Sequence, residues 1–154
     1  MIQKGDNAPN FDSVDENEDS LSLADFAGKN NVVLYFYPKD DTPGCTIEAN
    51  QFTALIGEFD ALDTVIIGVS KDSCESHQQF IDKFNLRVRL MSDTSGEVCE
   101  AYGVWQEKEK NRVKKMGIVR STFVIDKAGK LAYAEYGVNP EGHADRILEL
   151  IRSL

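Results

Sequence analysis

Residues 32–46 read VVLYFYPKDDTPGCT, and the rest of the chain can be interpreted outward from this stretch. Its first part, 32–37, is an unbroken apolar and aromatic run without a polar face, which is typical of a central strand covered on both sides. Pro38 ends the run, and a short polar loop follows. Thr42 is a suitable N-cap and Pro43 suits the first helical position, so a helix is predicted to begin here.

Apolar periodicity predicts the remaining elements in a similar way. In chain order they are a surface hairpin at 10–23, a helix at 42–59, a strand at 65–69, a helix opened by a capping box at Asp72, a short strand at 90–91, a short helix at 95–102, a solvated charged loop at 106–115, strands at 118–125 and 131–136, and a final helix whose inward stripe is Ile147, Leu150, Ile151 and Leu154. This order predicts one three-layer α/β domain over residues 1–154, with a mixed central sheet, flanking helices and an N-terminal hairpin.

The charge balance argues against several classes of partner. The chain has 154 residues, with 17 Lys and Arg against 26 Asp and Glu, a formal net charge of −9. So acidic a surface repels phosphate backbones and anionic lipids, which argues against nucleic-acid and membrane partners. No apolar run approaches the ~20 residues of a membrane span, and the N-terminal stretch lacks the apolar segment of a signal peptide. We therefore expect a cytoplasmic protein.

Three cysteines, Cys45, Cys74 and Cys99, are the candidate reactive groups. They form no Cys-x-x-Cys pair and no zinc-binding spacing, so we expect free thiols. Cys45 and Cys74 follow predicted parallel strands, at the sheet edge where reactive sites of such folds lie. Cys45 would be the third helical residue, where unpaired backbone N–H groups and the helix dipole favour a thiolate.

A thiolate alone does not make a fast enzyme, because a more acidic thiol is also a weaker nucleophile. The leaving group must be stabilised too. Arg120 begins an apolar strand, an awkward position for a cation unless it meets an anion such as this thiolate. The Thr42 hydroxyl lies on the same turn as the sulfur, and Gly44 would let a ligand approach the backbone closely.

The segment 35–46 resembles the active-site signature of the peroxiredoxins, Pro-x-x-x-Thr-x-x-Cys, and is similar in detail to the bacterioferritin comigratory protein, or peroxiredoxin Q, subfamily. The resemblance runs nearly end to end and continues at 8–11, 68–70, 90–93, 102–105 and 120–126. It implies a thioredoxin-like fold. It also implies an antioxidant, thiol-dependent peroxidase that reduces hydrogen peroxide and organic hydroperoxides.

The resemblance also implies a role for each matching residue. Cys45 would be the peroxidatic cysteine that becomes a sulfenic acid, and Thr42 with the Cys45 backbone N–H would hold the peroxide. Arg120 would stabilise the thiolate and the leaving oxygen. Pro38 would shield the sulfur from water, and Glu48 would orient the site. The family uses no metal, haem or flavin and takes its electrons from thioredoxin or a similar thiol. The absence of an extended C-terminal arm suggests a monomer.

The chain departs from the family at the resolving cysteine, the thiol that condenses with the sulfenic acid. Many members carry it five residues after the peroxidatic cysteine, where this chain has Asn50, and others carry it near the position of Ile81. Three routes remain open, namely an external thiol, Cys74 and Cys99. Of these cysteines, Cys99 is interpreted mainly as a small core residue.

Two other functions fit the same residues less well. A thiol–disulfide oxidoreductase on this fold needs Cys-x-x-Cys, and Thr42 stands in place of its first cysteine. A peroxide-sensing or chaperone-like protein would change shape on Cys45 oxidation without turning over. Of the two histidines, His77 is expected to pack or hydrogen-bond within its helix, and His143 is expected on the surface.

Overall fold

The computed structural model describes residues 1–154 and contains nine strands and five α-helices. The strands are β1 (Asp12–Val14), β2 (Ser20–Ser22), β3 (Asn31–Phe36), β4 (Thr64–Ser70), β5 (Arg89–Ser92), β6 (Trp105–Lys110), β7 (Val113–Ile118), β8 (Ser121–Ile125) and β9 (Leu131–Tyr136). The helices are α1 (Pro43–Ala54), α2 (Ile56–Asp60), α3 (Cys74–Phe84), α4 (Glu97–Ala101) and α5 (His143–Arg152), and a 3₁₀ turn spans Leu23–Phe26.

Five of the strands form one mixed sheet in the order β5-β4-β3-β8-β9. β3 pairs parallel with β4 and antiparallel with β8, and β4 pairs parallel with β5. β8 and β9 form the antiparallel hairpin at one edge. The strands β1 and β2 pair separately as an N-terminal hairpin. The predicted three-layer α/β architecture is therefore confirmed.

The alternation of side chains along β3 builds a core on each face of the sheet. Val32, Leu34 and Phe36 belong to a cluster that includes α4 and the N-terminal region. Val33 and Tyr35 point the other way, into a cluster with side chains of α1, α2, α3 and α5. Because both faces are covered, the strand needs no polar side, as its sequence predicted.

The structure corrects two of the predicted helices. The helix expected over 42–59 is interrupted at Leu55, although Ile56 and Phe59 on the short α2 remain buried. The final helix ends at Arg152, and Leu154 is 59% exposed and not part of the inward stripe. In both cases apolar residues continue at helical spacing in the sequence beyond the residue at which the helix ends.

The charged segment 106–115 is a β-hairpin rather than the loop that its charges suggested. β6 and β7 pair antiparallel, with Lys108 opposite Lys115. Asn111 and Arg112 form a two-residue turn, with φ of 53° and 63°. Positive φ at both central residues is the geometry of a type I′ hairpin turn. The turn therefore sets the pairing of these two strands, whose charged side chains do not pack into a hydrophobic core.

None of the helices has the length and apolar character needed to cross a membrane.

Gly68 lies opposite Tyr35 in the β3–β4 pairing, and a Cβ there would come within 2.7 Å of Tyr35 Cζ and 2.9 Å of Leu90 Cδ2. We expect Gly68→Ala to lower the free energy of unfolding by about 1–3 kcal/mol, because these buried side chains must shift. Urea denaturation measures the change.

Gly57→Ala is the matched control, since its Cβ would meet nothing within 4 Å and the residue lies in α2. It should raise the free energy of unfolding by roughly 0.5–1 kcal/mol. Equal stability of the two variants would contradict the close packing of Tyr35 on Gly68.

Candidate active site

The sheet topology brings three chain segments to one edge. β3 and β4 are parallel, so their carboxyl ends meet there and lead into α1 and α3. β8 is antiparallel to β3, and Ser121 at its start pairs with Phe36 at the end of β3. Arg120, which precedes Ser121, therefore lies at the same edge as the beginning of α1. This explains how two residues 75 positions apart come into contact.

Cys45 is the third residue of α1, as predicted, and is 2% exposed. The Arg120 guanidinium donates from Nη2 to the Cys45 sulfur at 3.3 Å. The sulfur thus has a cation and the helix N-terminus beside it.

Glu48 lies one turn after Cys45 and is fully buried. Arg120 donates from Nη1 to Glu48 Oε1 at 2.8 Å, so the guanidinium bridges the carboxylate and the sulfur. Burial raises the pKa of Glu48 to about 7, although the nearby Arg120 opposes this rise. Burial alone would lower the pKa of Arg120, but Glu48 and Cys45 outweigh it and raise that pKa. Arg120 therefore stays charged while its acidic partner titrates near neutrality.

Gly44 allows the guanidinium to lie over the first turn of α1. A Cβ at this position would come within 3.0 Å of Arg120 Nη2 and 3.5 Å of Pro140 Cγ. Any side chain here would compete with the cation for space, so the glycine makes room for Arg120.

Thr42 is the N-cap residue of α1, but its side chain does not cap the helix. Its hydroxyl donates to the Lys39 carbonyl at 2.9 Å. Because the hydroxyl hydrogen is used in this way, the oxygen lone pairs are left to accept a hydrogen bond. Pro38 is exposed where β3 ends and the loop to α1 begins.

The other two cysteines differ in their surroundings. Cys74 is half-buried at the first position of α3, whose N-cap is Ser73. The capping box predicted at Asp72 is wrong, because the Asp72 carboxylate instead accepts from the Asp40 backbone N–H and the Ser70 hydroxyl. Cys99 is fully buried, and burial with nearby Asp93 raises the pKa of the Cys99 thiol.

Both histidines are buried, and for His143 this overturns the expected surface position. His143 shares a hydrogen bond with Thr122 through Nε2 at 2.8 Å, and Arg146 contacts its Nδ1 at 3.1 Å. Burial lowers the pKa of His143 to about 4, so the ring is neutral at pH 7. The spacing of His143, Ile147 and Ile151 on one helix face was the available signal. His77 is buried and hydrogen-bonded, as expected.

Comparison with known proteins gives a consistent result. The model of the AhpC/TSA family matches residues 4–134. The peroxiredoxin Bcp of Bacillus subtilis is 41% identical over 153 residues, covering 99% of this chain and 97% of that protein. A crystal structure of a Xylella fastidiosa PrxQ mutant superposes with a TM-score of 0.93 at 32% identity, covering 99% of this chain and 97% of that one. A Xanthomonas campestris bacterioferritin comigratory protein, studied for alkyl peroxide reduction, gives a TM-score of 0.88 at 37% identity, covering 93% and 90%.

The Glu48 environment predicts a pH-dependent stability that Glu48→Gln should remove. With a folded pKa of about 7 against an ordinary value of 4.5, Glu48 holds a proton more tightly in the folded state, so its contribution to stability falls as pH rises between these two values. The free energy of unfolding of Glu48→Gln relative to the wild type should therefore rise between these pH values, by on the order of 2 kcal/mol.

Chemical denaturation at a series of pH values measures the difference. Glu100→Gln, on the exposed side of α4, is the control and should follow the wild-type profile. A constant offset between Glu48→Gln and the wild type across this pH range would contradict the raised pKa of Glu48.

Proposed function

Since this chain belongs to the AhpC/TSA family and is a peroxiredoxin, a thiol-dependent peroxidase that reduces hydroperoxides, we propose that Cys45 is its reacting group. The observation that carries this assignment is the 3.3 Å contact of Arg120 Nη2 with the Cys45 sulfur at the start of α1. Neither Cys74 nor Cys99 has a cation hydrogen-bonded to its sulfur. Thr42 in place of a second active-site cysteine argues against a thiol–disulfide oxidoreductase.

The proposed reaction starts with the Cys45 thiolate. Its sulfur attacks the terminal oxygen of the hydroperoxide, an S–O bond forms and the O–O bond breaks. The sulfur is oxidised to a sulfenic acid, and the peroxide is reduced to an alkoxide, or hydroxide from hydrogen peroxide, which takes a proton. A thiol then condenses with the sulfenic acid, releasing water and forming a disulfide. A second thiol reduces this disulfide and restores Cys45.

Arg120 acts on both the nucleophile and the leaving oxygen in this proposal. The guanidinium is planar and keeps several N–H donors, so the bond to Glu48 leaves others free to face the reacting atoms. Negative charge moves from the sulfur to the departing oxygen as the O–O bond breaks. A fixed cation beside this path lowers the barrier without reorganising. Glu48 orients the guanidinium, and Gly44 makes room for it.

Thr42 and Pro38 complete the proposed peroxide site. The Thr42 hydroxyl donates to Lys39, so its oxygen is available to accept from the peroxide O–H. The Cys45 backbone N–H lies in the first turn of α1, where backbone donors have no partner within the helix, and would donate to a peroxide oxygen. Pro38 borders the loop on the solvent side and would limit water near the sulfur.

The proposal extends to partners and cellular setting. Thioredoxin or a similar dithiol protein would supply the electrons, and the enzyme would serve antioxidant defence in the cytoplasm as a monomer with residues 1–154 as its single domain. No metal or organic cofactor takes part, because the sulfur, the guanidinium and the hydroxyl supply every group that the reaction needs.

Two substitutions test the reacting group and its cation. Cys45→Ser should abolish peroxide consumption coupled to thioredoxin and its reductase. Arg120→Ala should slow sulfenic-acid formation by about a hundredfold, because a donor aimed at developing charge is lost. Rapid-quench trapping of the sulfenic acid measures the second effect.

Cys99→Ala is the control and should keep the wild-type rate, since Cys99 lies in the core behind α4. Retained turnover in Cys45→Ser would refute the assignment. An unchanged rate of sulfenic-acid formation in Arg120→Ala would refute the role of the guanidinium but not the assignment of Cys45.

We propose further that an external thiol resolves the Cys45 sulfenic acid. Cys74 stands at the start of α3, whose next residues Ser76 and His77 are hydrogen-bonded to Asp40. Joining Cys74 to Cys45 would require unwinding both helix starts, whereas an incoming thiol needs only the first turn of α1 to open. Burial of Cys99 and its raised pKa disfavour a third route.

Counting free thiols after one equivalent of hydrogen peroxide tests this route. We expect the loss of one thiol, recovered as a dimedone adduct of Cys45, and an unchanged thioredoxin-coupled rate in Cys74→Ser. The loss of two thiols, with a Cys45–Cys74 linked peptide in the mass spectrum, would show instead that Cys74 is the resolving cysteine.

A further inference from the structure

A buried polar cluster lies beneath the loop that leads to Cys45, and the mechanism above does not use it. At its centre is Asp40, which is 7% exposed. Its carboxylate accepts from the Tyr37 hydroxyl at 2.5 Å, the Ser76 hydroxyl at 2.8 Å and His77 Nδ1 at 2.7 Å. Three donors, one just after β3 and two on α3, therefore bind the carboxylate of Asp40.

His77 is fully buried, and both of its ring nitrogens face acceptors. Nδ1 faces the Asp40 carboxylate and Nε2 faces the Met91 carbonyl at 3.0 Å. Each ring nitrogen therefore has a hydrogen-bond partner, and these two contacts fix the orientation of the ring. Removing one partner of a buried hydrogen bond costs more than the net value of the bond, because the other polar group is left unsatisfied.

The cluster also holds the loop by its backbone. The Asp40 N–H donates to Asp72 Oδ2 at 2.8 Å, and Asp72 in turn accepts from the Ser70 hydroxyl at 2.7 Å. Asp40 is therefore fastened through its side chain to α3 and through its main chain to the end of β4. The neighbouring Lys39 provides the carbonyl that accepts the Thr42 hydroxyl.

Asp40, Asp72 and His77 also lie close enough together for a metal-ion site. Their oxygen and nitrogen atoms, however, already receive or make the hydrogen bonds described above. A metal would have to displace the Ser76, His77 and Tyr37 donors from Asp40. The geometry favours a hydrogen-bonded support over a metal site.

We propose that His77 and Asp40 are positioning residues for peroxide attack. Through Asp40, His77 fixes the Lys39 carbonyl, and this carbonyl orients the Thr42 hydroxyl so that its lone pairs face the peroxide. Loss of the Asp40–His77 bond lets the loop and this acceptor move while the Cys45–Arg120 contact remains. This inference rests on the proposed function, since it concerns the orientation of a group in that same site.

Two neutral replacements of His77 distinguish its hydrogen bond to Asp40 from its hydrogen bond to the Met91 carbonyl. The amide nitrogen of His77→Asn replaces Nδ1 and still reaches Asp40, whereas that of His77→Gln replaces Nε2 and reaches only the Met91 carbonyl. Both variants replace the ring with the same neutral amide group. We expect sulfenic-acid formation by hydrogen peroxide to slow about tenfold in His77→Gln, because a bond to a charged group is lost, and to stay within about threefold of the wild type in His77→Asn.

Alkylation of Cys45 by iodoacetamide, measured on the same samples, requires the thiolate but no peroxide-holding hydroxyl. Its rate should change little in either variant, so the ratio of oxidation to alkylation falls in His77→Gln alone. A merely structural role would not move this ratio. Gln79→Ala, on the exposed side of α3, is the control and should match the wild type.

Equal slowing in the Asn and Gln variants, or an unchanged ratio in His77→Gln, would overturn the proposal. Should His77→Gln not fold, Ser76→Ala removes a second donor to Asp40 from a half-buried site and is expected to lower the same ratio by a smaller factor. An unchanged ratio there would equally overturn it. The Cys45→Ser result stands apart, so this inference can fail while the proposed function holds.

Discussion

The contact on which the site depends is the bridge that Arg120 makes between a buried carboxylate and a buried sulfur. Nη1 is bonded to Glu48 at 2.8 Å and Nη2 to Cys45 at 3.3 Å, so the guanidinium cannot rotate without losing one of them. Its side chain is 15% exposed and that of Glu48 is not exposed at all. In such a setting an unpaired charge would be very costly, so each of the three groups restricts the others.

The mixed sheet makes this contact possible. Parallel pairing of β3 with β4 directs α1 and α3 to one edge, and antiparallel pairing of β3 with β8 returns Arg120 to that edge. A parallel β8 would carry the arginine to the opposite end of the sheet. The helix start supplies backbone donors, and the returning strand supplies the cation beside the sulfur.

Two buried, hydrogen-bonded side-chain pairs support the same short loop from opposite sides. Arg120 and Glu48 hold the first turn of α1, while His77 and Asp40 hold the residues that precede it. Buried pairs seldom add stability, and their usual contribution is to specify one geometry. A site that holds a small substrate through few contacts depends on such preorganisation, because misplaced donors slow the reaction without lowering stability.

The residues next to one another in the sequence were sufficient to predict the elements nearest the Cys45 sulfur. The apolar run before Pro38, the Thr42–Pro43 helix start and the third-position cysteine are properties of neighbouring residues, and all three appear in the structure as predicted. Arg120 was identifiable because a cation at the start of an apolar strand needs an anion. The same local logic failed at 106–115, where a turn geometry at Asn111 decided the pairing, and at Asp72, whose carboxylate is used by a distant loop.

Only the tertiary structure decided which distant groups share a hydrogen bond. Asp40 and His77 are separated by 37 residues, and neither has a sequence neighbour that signals the other. His143 lies inside rather than on the surface because α5 packs on α1 and brings the ring to Thr122. Short-range rules describe a residue's own turn or strand, whereas burial and partners follow from how the sheet stacks its helices. The sequence by itself therefore determined the helix that begins after Pro38 and the position of Cys45 on it, and the packing of the folded chain determined which side chains hold them in place.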